Sequence, residues 1–166
     1  MRSPSSVFKA FFLSAMLCWA SLTAMAQEAQ QSKSWLFVQT ASEFSLEGER
    51  LIIPYEREIF AFTDRPNRQH AYLNAHEFTA LWSDGDDDFS QDPPNAVLTW
   101  VSDGEVQEAE IELMGADLGQ QGRAIIYRVQ LEGGQTLPSS AEQVSMFVDG
   151  LVQQDRFLIR GYSQPK

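Results

Sequence analysis

From residue 96 onward, apolar positions recur at every second residue, the spacing of strands that bury one face. Residues 96–102 predict a strand, with Leu98 and Trp100 on one face. Asp103-Gly104 predicts a two-residue hairpin turn, because such turns favour residues that tolerate positive φ. In the returning strand Gln107, Ala109, Ile111 and Leu113 fall on one face, and Glu108, Glu110 and Glu112 on the other. Residues 115–122 (GADLGQQG) read as a glycine-rich connection. In the following strand Ile125, Tyr127, Val129 and Leu131 point inward, and Arg128 and Gln130 outward. Pairing of the two strands is expected to set Arg128 beside Glu108 or Glu110, offsetting repulsion in the acid ladder. After a loop at Gly133, Gly134 and Pro138, a further strand is expected on Val144, Met146 and Val148. A turn at Asp149-Gly150 and a last strand at Phe157-Leu158-Ile159 complete the series.

The first half of the chain is less regular. Trp35-Leu36-Phe37-Val38 is an unbroken apolar run, expected as a strand covered on both faces. Glu47-Gly48-Glu49 divides Phe44-Ser45-Leu46 from Leu51-Ile52-Ile53 and predicts a hairpin. Pro54 ends the second strand or places it at an edge, since proline has no N–H to donate. Residues 58–62 form another strand, followed by a turn at residues 63–68, where Asp64 can hydrogen-bond forward and Pro66 fixes φ.

A change of period marks the helix. Ala75, Phe78, Leu81 and Trp82 share a face at helical spacing, and Asn74 with Glu77 has the separation of a capping box. A helix over residues 74–83 is expected, as a short lid over one end or edge of a sheet. With eight or nine strands and short connections, the fold class is mainly all-β and antiparallel. A two-layer β-sandwich is the first expectation and a closed β-barrel the second.

Composition changes the setting of this fold. Residues 1–26 have the form of a signal peptide: Arg2 and Lys9, an apolar stretch over residues 7–20, and Ala24-Met25-Ala26 before Gln27. Cleavage at about Ala26/Gln27 predicts an exported protein, periplasmic or extracellular. The apolar stretch is shorter than the roughly 20 residues of a membrane span, and no later stretch matches it. Cys18, the one cysteine, lies within this leader. Its preceding residues, Ala15-Met16-Leu17, fit a lipid-attachment site poorly. A mature chain without cysteine has no disulfide, thiolate metal site or cysteine nucleophile. Residues 27–33 are expected as a disordered lead-in, 34–162 as a single domain and 163–166 as a tail.

Of 12 basic residues, Arg2 and Lys9 leave with the leader, so 10 remain against 23 acidic ones, a net charge of −13. Such an excess repels phosphate backbones and anionic head groups, which argues against nucleic acid or a membrane surface as a partner.

No motif carries a reaction. His70 and His76 lack a Gly-x-Ser-x-Gly serine, and no catalytic triad order is visible. His70, His76 and Glu77 do not have zinc-ligand spacing, so they read as surface residues and a helix start. Asp84, Asp86, Asp88 and Asp92 are spaced for a turning loop that could converge on calcium. Phe89 and Asn95, however, occupy positions where an EF-hand needs Gly and Glu. The reading taken is a solvated acid loop, with no metal and no cofactor. Tyr55, Trp82, Trp100 and Tyr127 could stack on sugar rings, but Trp82 and Trp100 share faces with core residues. Arg65 and Arg68 are expected to pair with local acids, and Asp64, Arg65 and Asn95 to act structurally at chain reversals beside proline.

Taken together, FTDRPNR, FTALW and DPPNAVL with Phe89 between them resemble a group of small exported bacterial proteins of unknown function. The resemblance covers about residues 58–101 and, more loosely, VSMFVDG. It implies a common fold with a fixed turn–helix–loop, and no activity. The expected function is a non-catalytic binding or interaction module for an unknown protein or small-molecule ligand. The alternatives are a carboxylate-dependent hydrolase working from residues 64–92 and a weak calcium-dependent binding module.

Overall fold

A computed structural model describes residues 34–65, 68–83 and 89–150. The expected leader, lead-in and tail, the strand at Phe157-Leu158-Ile159, and Asp84, Asp86 and Asp88 of the acid loop lie outside the described residues. In chain order the elements are β1 (Trp35–Glu47), β2 (Arg50–Pro54), β3 (Ile59–Thr63) and β4 (His70–Leu73). Then come α1 (Ala75–Thr79), continued by a 3₁₀ turn (Ala80–Trp82), β5 (Asn95–Ser102) and β6 (Glu105–Gly119). A second 3₁₀ turn (Gln120–Gly122) leads to β7 (Ala124–Leu131), and β8 (Ser140–Gly150) follows.

Every pairing is antiparallel, in the order β2-β7-β6-β5-β8-β1-β3-β4, and β2 also pairs with β1. That last pairing closes six strands into a barrel, with β3 and β4 continuing outward from β1. The second of the two expected architectures therefore forms, and the two-layer sandwich does not. The reason is the length of two strands on opposite sides of the ring. β1 pairs with β8 along one edge, while its other edge serves β3 at Trp35–Val38 and β2 at Ser45–Glu47. β6 pairs with β5 through residues 105–112 and with β7 through residues 111–119. Strands shared in this way leave no seam between two sheets.

Where β1 changes partner, the Ser42 N–H is met by a side chain instead of a strand. It donates to Glu56 Oε2 at 3.1 Å, and the Ser42 hydroxyl donates to the same carboxylate. These bonds favour the ionised form and hold the Glu56 carboxyl below the ordinary glutamate value.

The alternation of the strands builds the interior. Phe37, Leu98, Ile111, Leu113, Ile125 and Met146 are fully buried, and Tyr127 with them. Ala109, Ile111 and Leu113 face inward as expected, while Gln107 lies past the buried part of β6 and is exposed. Two segments expected as turns are strand. Residues 115–119 continue β6, and the register shift between Leu113 and Gly115 absorbs the change of partner. Asp149 and Gly150 end β8 opposite Leu36 and Trp35. Gly150 is needed for packing: a Cβ there would stand 2.7 Å from the Phe37 ring and 2.9 Å from that of Phe89. The same shift in β6 moves Arg128 opposite Gly115, away from Glu108 and Glu110.

Candidate functional site

Two places on the surface depart from the polar-outside pattern. The first lies beside α1. Asn74 accepts a hydrogen bond from the Glu77 N–H at 2.9 Å, and Glu77 Oε2 accepts one from the Asn74 N–H at 3.0 Å, so the expected capping box forms. Phe78 and Trp82 then turn toward the barrel interior. Phe78 meets Phe37 of β1 at 5.4 Å between ring centroids, and Trp82 meets Tyr127 of β7 at 6.3 Å. Trp82 Nε1 also donates to the Leu113 carbonyl of β6 at 3.0 Å. Because β1 and β6 are opposite in the ring, the helix closes one mouth of the barrel, which matches the expected lid.

On its outer side the helix leaves a groove of about 510 Å³ against β6 and β7, lined by His76, Trp82, Met114, Asp117 and Arg128 among others. Arg128 lies across the backbone at Gly115, donating to the Met114 carbonyl at 3.0 Å; a Cβ on residue 115 would stand 2.8 Å from its Nη2. The groove offers one guanidinium, one imidazole and one carboxylate. That set can orient a polar ligand.

The second place is the outer face of β4, β3, β1, β8 and β5. Register aligns Tyr72 with Phe60, Phe60 with Val38, Val38 with Phe147 and Phe147 with Val97. Five apolar side chains thus form one row across five strands, about 19 Å end to end at ordinary inter-strand spacing. Tyr72 is 67% exposed and Phe147 47%; Phe60, Val38 and Val97 are half-buried. Phe62 stacks on Phe60 at 5.6 Å, and Tyr72 and His70 lie 5.3 and 6.4 Å from the same ring. Leu36, opposite Phe62, widens the patch. Beyond Val97 the row meets Glu110, which stands between Glu108 and Glu112 on β6. Asp149 lies opposite Leu36. Among the described residues none of these four carboxylates is in an ion pair.

The residues singled out from the sequence fall apart in space. His70 belongs to the outer aromatic face, His76 to the groove and Glu77 to the helix cap, and the described residues contain no cluster of three metal-ligating side chains. Asp92 is exposed; Asp84, Asp86 and Asp88 lie outside the described residues. Trp82 and Trp100 are core, Trp100 against Phe44 at 6.0 Å edge to face. Tyr127 is also core, and its hydroxyl donates to Gln39 Oε1 across the barrel. Burial pushes the Tyr127 hydroxyl well above its ordinary value. Half-buried Tyr55 is also raised, by burial and then by the Glu58 charge, against a hydrogen bond from the Ala75 backbone. Asp64 accepts from the Arg65 N–H in the turn, as expected, and its carbonyl accepts from Arg68 N–H at 3.3 Å. Asn95 is the first residue of β5, opposite Glu112, and not at a reversal.

The outer apolar row was missed from the sequence, although Phe60, Phe62 and Tyr72 are visible there as aromatics on strands. Only the strand order, which brings β3 and β4 beside β1 and β8, makes them one surface. Comparison with protein-family models, with curated proteins and with solved structures finds no match for the chain.

Proposed function

We propose that the protein is an exported, non-catalytic interaction module whose binding surface is the outer face centred on Phe60. The row from Tyr72 to Val97, exposed at Tyr72 and Phe147 and half-buried at the other three positions, is the observation that supports this reading. A patch of contiguous apolar side chains on a chain this acidic costs solubility unless something covers it. The signal-peptide pattern of residues 1–26 and the resemblance to small exported bacterial proteins support export, and neither brings an activity with it.

The test uses the mature protein and the double variant Tyr72→Ser/Phe147→Ser. Wild type is expected to bind an environment-sensitive dye such as bis-ANS with a blue-shifted emission, and the double variant to lose most of that signal while melting within a few degrees of wild type. Equal dye binding by both proteins overturns the surface assignment. Turnover of glycoside, ester or peptide substrates above the buffer rate overturns the non-catalytic reading.

A further inference from the structure

The outer face also carries a charge pattern that narrows what covers it. We infer that its partner is a basic, apolar polypeptide segment: an apolar stretch matched to the row from Tyr72 to Val97, with Lys or Arg beside the carboxylates of Glu108, Glu110 and Glu112. This rests on the reading of that face as an interaction surface and adds the chemistry of the partner.

The row is about 19 Å long, the reach of about six extended residues or about 13 helical ones, so one continuous segment spans it. At the β5 end it runs into Glu110, opposite Val97, with Glu108 and Glu112 along the same outer edge of β6. Successive outward residues of a strand stand about 7 Å apart, so three like charges on one ladder repel. Among the described residues no cation pairs with them, since Arg128 is held at Met114 on the far side of the register shift. Asp149, opposite Leu36, adds a fourth carboxylate at the margin of the apolar patch.

A second copy of this chain would bring a like net charge to this face, −11 for the full sequence. An acidic or neutral segment would cover the apolar row and leave the ladder unpaired. A basic one covers the row and relieves the ladder together, and such complementarity selects partners and speeds encounter.

The experiment titrates the mature protein with three fluorescein-labelled synthetic peptides that share one 12-residue block of alternating Val and Ser. They end in three lysines, three serines or three glutamates. Wild type is expected to bind the lysine peptide at least tenfold more tightly than the serine peptide, and the glutamate peptide not at all. In Glu108→Gln/Glu110→Gln/Glu112→Gln the preference for lysine over serine falls to about twofold or less. Tyr72→Ser/Phe147→Ser weakens the lysine and serine peptides alike, whereas Leu118→Ser, on β6 beyond the register shift, changes neither. Equal affinity for all three peptides, or a lysine preference that survives the triple substitution, overturns the partner's charge and leaves the surface reading standing. Lysine- and serine-peptide affinities left unchanged by Tyr72→Ser/Phe147→Ser overturn the surface itself. A dimer in sedimentation that Tyr72→Ser/Phe147→Ser dissolves assigns the face to a second copy and overturns the basic partner.

Discussion

The outward side chains of this barrel divide into two regions built on the same backbone. On β6 and β7 the outward positions Glu108, Glu110, Glu112, Arg128 and Gln130 are polar, as the strand period requires of a solvated face, with exposed Val106 and Leu118 standing apart toward the two ends of β6. On β4, β3, β1 and β8 they include the contiguous apolar group of Tyr72, Phe60, Phe62, Leu36, Val38 and Phe147. The inward positions do not differ in this way, being apolar on all these strands apart from the buried Gln39 of β1 and Thr63 of β3. Folding accounts for the interior and for the polar region. It does not account for the apolar exterior, which makes that face the place to look for function.

Stability measurements sharpen this division. Truncating the interior is expected to cost most: Phe78→Ala, at the closed mouth, removes a fully buried ring and should lose about 3–5 kcal/mol in denaturant unfolding. Tyr127→Phe deletes the hydroxyl that meets Gln39, whose Nε2 is already buried without a partner. Leaving the whole amide unmatched should cost about 1–3 kcal/mol. The Tyr127 pKa is raised in the folded state, so its contribution is intact below the unfolded value near 10.0 and is lost as pH rises above it. The Phe variant should therefore show a weaker alkaline fall in stability.

Asp64→Ala removes the carboxylate that holds the turn between β3 and β4, at an expected cost of about 1–2 kcal/mol by the same unfolding measurement. Tyr72→Ser and Phe147→Ser on the outer face should each cost under about 1 kcal/mol, since Tyr72 is mostly and Phe147 about half in water already. A loss matching that of Phe78→Ala would break the comparison by showing that the face supports the fold. The smallest effect is expected at Glu56, which is fully exposed. Its lowered pKa contributes stability above the ordinary glutamate value, lost as pH falls through the folded one. Melting curves of Glu56→Gln and wild type should thus differ slightly at neutral pH and converge in acid.

Much of the local structure was legible in the residues themselves. Period-two alternation located β5, the inward side of β6, β7 and β8, because a strand's faces follow from its own geometry. Asn74 and Glu77 announced the start of α1, since a capping box is closed within four residues. Asp103-Gly104 and Gly48 marked hairpin turns that the observed positive φ values bear out. Partner choice is of a different kind. The β1–β2 hairpin was legible, but whether it closes a barrel depends on β2 also meeting β7, as where Ile53 pairs with Ile125, residues far apart in the chain. The register shift near Gly115 that moved Arg128 away from its expected acids is likewise a property of two strands together. The outer row from Tyr72 to Val97 draws on five strands, each contributing one residue that alone reads as ordinary core. Local sequence decided which way each of these side chains points, and only tertiary pairing decided which of them became neighbours.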